Sequence, residues 1–221
     1  MGDDLDKRYM RLALRLAFRG AGRTSPNPMV GAVLVRGGKI VGTGYHRRAG
    51  SDHAEIVALR RAGERARGAT LYLNLEPCNH QGRTPPCTLS LIQARVKRVV
   101  VGMVDPNPLI SGRGLRRLRL AGIHVDVGLL KSECRRLNEA FGKYITRRIP
   151  FVILKFAVSL DGRIAASTGD SRWVTGSVSR QFVHHLRNQV DAVLVGAGTV
   201  LADDPRLTSR IPGGRDPWRV V

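Results

Sequence analysis

Residues 53–55 read His-Ala-Glu, and residues 76–87 read EPCNHQGRTPPC. Two imidazoles, two carboxylates and two of the chain's 3 cysteines thus fall into two short clusters. A histidine and two cysteines make three ligands, and a catalytic zinc site keeps its fourth position open. Two thiolates and a neutral imidazole cancel the metal's double charge, so such a site can hold hydroxide near neutral pH. Glu55, two residues beyond His53, can point back toward the metal without binding it. A carboxylate there can carry protons from water to a ring nitrogen and to a leaving amine, one to each. Each piece also has a plainer reading. Asp52-x-x-Glu55 has the spacing of a capping box. Cys78 and Cys87 could be a disulfide, or small buried apolar residues. Cys134, in KSECRRLNEA, stands apart and reads as a helix-face residue.

The elements around these clusters decide whether they can meet. Leu5, Tyr9, Leu12 and Leu16 give residues 4–19 a helical period. GRTSPNPMVG breaks it, and GAVLVRGGKIVGTGYH follows as a hairpin about Gly37-Gly38. DHAEIVALRRAGERARG predicts an amphipathic helix closed by Gly68. ATLYLNLEPC predicts a strand running into the cysteine loop. TPPCTLSLIQARV predicts a helix with Thr84 as N-cap and Pro85 in the first turn, which puts Cys87 at the third helical position. Both clusters then lie at helix N-termini, where thiol pKa values fall. Strand RVVVGMVDP, helix GRGLRRLRLAG, strand IHVDVGLL and a single helix KSECRRLNEAFGKYITRR continue the alternation of an α/β layered domain ending near Arg148. A further strand is expected from FVILKFAVSLDGRIA, then a helix (VSRQFVHHLRNQ), a strand (DAVLVGAGTV), a loop and the opening of another strand, DPWRVV. A domain starting there has only about 70 residues, too few for a good core, so a truncated second domain is expected.

Composition narrows the setting. The chain has 221 residues, is 43% hydrophobic and carries a formal net charge of +20, with a pI near 11.4. Such a charge favours anionic partners, from phosphorylated metabolites to nucleic acid. The arginines are spread along the chain instead of forming one block, which reads as a solvated surface and makes nucleic acid the less favoured partner. No apolar run reaches the roughly 18 residues of a membrane helix. The first residues, MGDDLDKRYMRLALRLAFRG, begin acidic and interrupt their apolar positions with charge, so a signal peptide is not expected. The expectation is a cytoplasmic protein, a compartment where stable disulfides are rare.

H-A-E followed by P-C is the pattern of zinc nucleobase deaminases. Eight residues separate the cysteines here, where nucleic-acid deaminases carry two. With PNPMVGAVLV, GYHRRAG and EPCNHQGRTPPC, the first part of the chain resembles the deaminase half of the bifunctional riboflavin biosynthesis deaminase–reductase family. LKFAVSLDGRIA, SRWVTG and GAGTVLADDPRLT resemble its reductase half. The resemblance implies a cytidine-deaminase-like three-layer α/β/α domain over 1–148, then an incomplete dihydrofolate-reductase-like α/β domain over 149–221. It implies one zinc ion on His53, Cys78 and Cys87, with Glu55 as proton shuttle. The implied substrate is a diaminopyrimidinone carrying a ribosyl phosphate, contacted by Asn27, His46 and Arg83, the arginine suiting a dianion. In the second domain the resemblance implies NADPH on Ala157, Trp173, Thr199 and Asp203, and substrate contacts at Ser171, Arg187, Leu207 and Arg210. A homo-oligomer is implied as well. Reduction at a useful rate is not expected of a truncated second domain.

Two rival readings remain open at this stage. One is a nucleic-acid deaminase of the tRNA-adenosine type, favoured by charge but not by an aromatic content of 5%. The other is a non-catalytic zinc module, which needs four protein ligands and would take His80 as the fourth.

Overall fold

Gly37 and Gly38 have φ of 56° and 74°, the left-handed pair that a two-residue hairpin turn demands. They join β1 (Gly31–Arg36) to β2 (Lys39–Tyr45), with Arg36 opposite Lys39. The computed structural model describes residues 2–80 and 85–221. These form two compact units, Met1–Phe151 and Val152–Val221.

In the first unit, β1 also pairs antiparallel with β3 (Thr70–Leu73). β4 (Arg98–Val101) and β5 (His124–Val127) add in parallel, giving the order β2-β1-β3-β4-β5. Successive strand residues face opposite sides, and both sides are apolar. Ala32, Leu34, Leu71, Leu73, Val99 and Val101 face α2 (Ala54–Ala62), α3 (Cys87–Gln93) and α4 (Arg113–Leu120) in one core. Val33, Val35, Tyr72 and Val100 meet Tyr9, Met10, Ala13 and Leu16 of α1 (Gly2–Phe18) and Cys134 of α5 (Lys131–Leu137) in the other. Burying each Val, Leu or Met contributes about 1.5–3 kcal/mol. The result is the expected α/β/α sandwich.

Two glycines of β2 set the seat of α2. A Cβ on Gly44 would stand 2.1 Å from the Ala54 carbonyl oxygen, and one on Gly42 would stand 2.3 Å from that of Ala58. The bare backbone lets α2 lie directly against the strand, and this fixes where its N-terminus projects.

Three expectations are corrected. Residues 131–148 form two helices, α5 and α6 (Glu139–Arg147), because Asn138 (φ −110°, ψ 25°) leaves helical geometry. Helix α3 begins at Cys87 with Pro86 preceding it. Pro85 is therefore outside the first turn and Cys87 is the first helical residue, not the third; Thr84 lies outside the described residues. The strand expected from residue 151 is absent, since no described residue pairs with 151–159 in a ladder.

The second unit holds α7 (Ser177–Gln189), β6 (Ala192–Leu194), α8 (Ala197–Asp203) and β7 (Trp218–Val220). β6 and β7 pair in parallel. Among the described residues no helix is long and apolar enough to cross a membrane.

Candidate active site

His53 is the residue before the first turn of α2, with extended backbone and no side-chain cap bond. Its imidazole is therefore available to turn away from the helix. The capping box does not form: the Asp52 carboxylate pairs with Arg60 at 2.7 Å instead. Glu55, in the first turn, is buried with 3% of its surface exposed. Across from it, Cys78 follows β3 and Cys87 opens α3. The two ends of the cysteine loop are tied together at its base. The Thr88 N–H donates to the Cys78 carbonyl at 3.2 Å, and the Cys87 N–H to the Cys78 sulfur at 3.3 Å. Asn79 Oδ1 accepts from the Thr88 hydroxyl at 2.8 Å and from Arg117 at 3.1 Å.

This framework brings three donors together. The His53 Nδ1 lies 3.2 Å from the Cys87 sulfur and 3.5 Å from the Cys78 sulfur. All three donor atoms fall within 4.8 Å of one another, and the cysteines form no disulfide. His80 is exposed and is not one of the three. A hydrogen bond from Cys87 holds the Cys78 thiol down at about 4, with the one to His53 adding to the effect. Its proton-sharing partner Cys87 is pushed up, first by that same bond and then by burial. His53 is pushed up to about 9 by its bond to Cys78, against burial. Glu55 is pushed up to about 7, chiefly by burial and next by the charge of Cys78.

These residues fit a zinc ion. Two thiols and an imidazole are its preferred donors. Glu55 Oε2 is buried without a hydrogen-bond partner among the described residues, and a buried carboxylate oxygen left so is costly. A water molecule at the open metal position would give it a partner.

Asn27 and His46 stand beside this cluster. The His46 ring lies edge-on to that of His53, centroids 5.5 Å apart. Its Nδ1 is 3.2 Å from the Asp52 carbonyl oxygen, which only accepts, so Nδ1 carries the proton. Burial lowers the His46 pKa and favours this neutral form. Nε2 is then an acceptor, and Asn27 Nδ2 donates to it at 3.1 Å. The Asn27 carbonyl oxygen is thereby oriented as an acceptor. Arg83 lies outside the described residues.

Sequence reasoning passed over the residue that anchors the far wall. Glu76 is buried, and its Oε2 accepts from the N–H groups of Gly112 (2.9 Å) and Asp105 (3.2 Å). Its Oε1 accepts from Gly114 (2.9 Å) and Leu115 (3.4 Å). One carboxylate thus binds the β4–α4 connection and the start of α4 to the segment leading into Cys78. Gly114 is needed for this contact, because a Cβ there would stand 2.3 Å from the Pro77 carbonyl oxygen. A glutamate at the end of an apolar strand was the only signal available.

In the second unit the named positions divide. Ser171 and Trp173 line one cavity with Asp161, Arg163 and Asp170, and Arg180 stacks over the Trp173 ring at 4.4 Å. Arg187 donates to the Thr208 carbonyl at 3.3 Å. Its pKa is lowered by burial and then by the charge of Arg210, and Leu207 is buried nearby in sequence. Leu207 and Arg210 adopt φ of 55° and 52°, left-handed values that carry strain outside glycine. Ala157 lies on the unpaired 151–159 segment, Thr199 in the first turn of α8, and Asp203 at its last residue.

Comparison with known proteins follows the same division. A family model described as the cytidine and deoxycytidylate deaminase zinc-binding region matches residues 3–103. One described as the RibD C-terminal domain matches residues 150–221. The riboflavin biosynthesis protein RibD of Aquifex aeolicus (strain VF5) is 55% identical over 219 residues, covering 99% of this chain and 62% of the relative. That of Escherichia coli (strain K12) is 55% identical over 205 residues, covering 93% of this chain and 56% of the relative. A crystal structure of a diaminohydroxyphosphoribosylaminopyrimidine deaminase/5-amino-6-(5-phosphoribosylamino)uracil reductase from Thermotoga maritima superposes with a TM-score of 0.95 at 47% identity. That match covers 99% of this chain and 63% of the other. The chain therefore spans less than two thirds of the length of each of these relatives.

Proposed function

Because the chain belongs to the RibD family of riboflavin biosynthesis proteins over the stretch it spans, we propose that it is a zinc-dependent pyrimidine deaminase in its first domain, residues 1–148. The reaction is hydrolysis of an exocyclic amine on a diaminopyrimidinone that carries a ribosyl phosphate. Water adds to the ring carbon, the carbon–nitrogen bond breaks, and a carbonyl and ammonia result. His53, Cys78 and Cys87 hold one zinc ion, which when bound lowers the pKa of water enough for attack near neutral pH.

The remaining work falls to side chains of this chain. Glu55 Oε2 takes one proton from water and passes it to the ring nitrogen, then carries the second, from the added hydroxyl, to the leaving amine. A pKa near 7 suits a group that must both accept and donate at neutral pH. Asn27 Oδ1, aimed by its bond to His46, accepts from the ring substituents. Arg83 takes the phosphate. The observation that carries this reading is the buried Glu55 oxygen without a partner, next to three converging donors.

Residues 149–221 carry the first part of an NADPH-dependent reductase domain. There Ala157, Trp173, Thr199 and Asp203 contact NADPH, and Ser171, Arg187, Leu207 and Arg210 contact the sugar phosphate. The neighbouring charges of Arg187 and Arg210 support an anion at that place.

Ammonia release by the zinc-loaded 221-residue chain tests the deaminase reading. Release from the diaminopyrimidinone ribosyl phosphate supports it. Release from tRNA adenosine, with none from the pyrimidinone, moves the chain to the nucleic-acid alternative.

A further inference from the structure

Two fully enclosed asparagines, Asn74 (0% exposed) and Asn138 (2% exposed), converge on one short piece of backbone. Asn138 Oδ1 accepts from the Met29 N–H at 2.8 Å, and its Nδ2 donates to the Met29 carbonyl at 2.9 Å. Asn74 Nδ2 donates to that same carbonyl at 2.9 Å, and its Oδ1 accepts from the Gly31 N–H at 2.8 Å. Backbone partners fix which end of each amide is oxygen, since an N–H only donates. Asn138 lies 109 residues from Met29 in sequence, at the break between α5 and α6. On the other side Gly31 is pressed against α1, where a Cβ would stand 2.0 Å from the Ala13 carbonyl oxygen. Residues 29–31 are thus gripped from three distant parts of the chain.

This strip carries both members of the Asn27–His46 pair. Asn27 is two residues before Met29, separated only by Pro28, whose ring fixes one torsion. His46 donates its own N–H to the Val30 carbonyl at 2.9 Å. A shift of residues 29–31 therefore moves the Asn27 amide and the His46 ring relative to His53 and Glu55. An apolar side chain at 138 would leave the part-buried Met29 N–H without its partner, and the strip would have reason to move.

We propose that Asn138 and Asn74 are positioning residues: they hold the backbone of residues 29–31 so that Asn27 and His46 present their polar atoms at the reacting group. The inference rests on the reading of Asn27 and His46 as reactant contacts. Asn138 makes these bonds from the break between α5 and α6.

The test uses Asn138→Leu, Asn138→Asp, Asn27→Ala and the double variant Asn27→Ala/Asn138→Leu, each zinc-loaded. Asn138→Asp keeps an acceptor for the Met29 N–H, while Asn74 still serves the carbonyl. The expected result is unchanged zinc content throughout. Asn138→Leu lowers kcat/KM by about 10- to 100-fold, the scale of a misplaced reactant contact, and Asn138→Asp loses less. In the Asn27→Ala background, Asn138→Leu adds less than about two-fold, because both act through one contact. In the zinc-free chain, the His46 Nε2 resonance moves in Asn138→Leu, as its bond from Asn27 is lost. Multiplying losses in the double variant, or an unmoved His46 resonance, would overturn the inference while leaving the proposed function intact. An Asn27→Ala variant with normal kcat/KM would remove the reading of Asn27 and the inference together. Should Asn138→Leu not fold, Asn138→Asp against Asn27→Ala decides the same question.

Discussion

The Nδ1 nitrogen of His53 sits 3.2 Å from the sulfur of Cys87 and 3.5 Å from that of Cys78. Without metal, the bond between the two sulfurs holds the Cys78 thiol down at about 4 and its partner Cys87 up. The bond to Cys78 pushes His53 up to about 9. These shifts favour a thiolate, a thiol and an imidazolium at pH 7. Zinc needs both thiolates and a neutral imidazole. Loading the apo-chain at pH 7 should therefore release about two protons per zinc, read by an indicator in weak buffer. No release would mean that the trio is not the metal's ligand set.

The ligand count separates a catalytic site from a structural one. His80 is exposed and outside the converging trio. His80→Ala should keep one zinc per chain, and Cys78→Ala should lose it, both read by elemental analysis of the purified variants. Loss of metal in His80→Ala would point to a closed, four-ligand site.

Glu76 offers a test of how the site is braced. Its two oxygens accept from four backbone N–H groups. In Glu76→Gln one oxygen becomes an NH2 group facing donors. The expected cost is about 2–3 kcal/mol, from hydrogen bonds to a charged acceptor lost in a buried place. A lower urea midpoint with unchanged slope would register it, and an unmoved midpoint would refute it.

Asp105 gives a pH dependence. It is 6% exposed, and burial, with the charges of Glu76 and Cys78, pushes its carboxyl up from 3.8 to about 6. The folded state thus holds this proton more tightly than the unfolded chain does. The stabilisation is full below about pH 4 and is lost as pH rises through about 6. Asp105→Asn keeps the acceptor for the Asn107 N–H, 2.8 Å away in the parent. It should flatten that part of the stability–pH curve in thermal melts from pH 4 to 7. A curve of unchanged shape would place the titration elsewhere.

The convergence of His53, Cys78 and Cys87 was legible in the sequence because zinc donors come in few types at few spacings. His53, Cys78 and Cys87 could be paired across 25 and 9 residues, since a strand must return the chain from the end of α2 to the start of α3. Strands β1 to β5 were legible from apolar runs between glycines. The bracing was not. Asn74, Glu76 and Asn138 are ordinary polar letters in sequence, and their worth comes from backbone groups up to 109 residues away. The break at Asn138 was hidden for the same reason: KSECRRLNEAFGKYITRR has a continuous helical period, and the bonds that Asn138 makes go to Met29, 109 residues away. The segment at 151–159 misled in the opposite direction. Its composition suits a strand, but a strand exists only where a neighbour completes the ladder.

We propose that Glu55 moves protons for hydrolysis at a metal held by His53, Cys78 and Cys87. The most direct test is ammonia release from the diaminopyrimidinone ribosyl phosphate by the parent chain and by Glu55→Gln, at matched zinc content. Full zinc in both and a loss of release on the order of 10²- to 10⁴-fold in the variant are expected. Equal release at equal zinc would contradict the proposal and leave Glu55 a buried carboxylate without a role in the reaction.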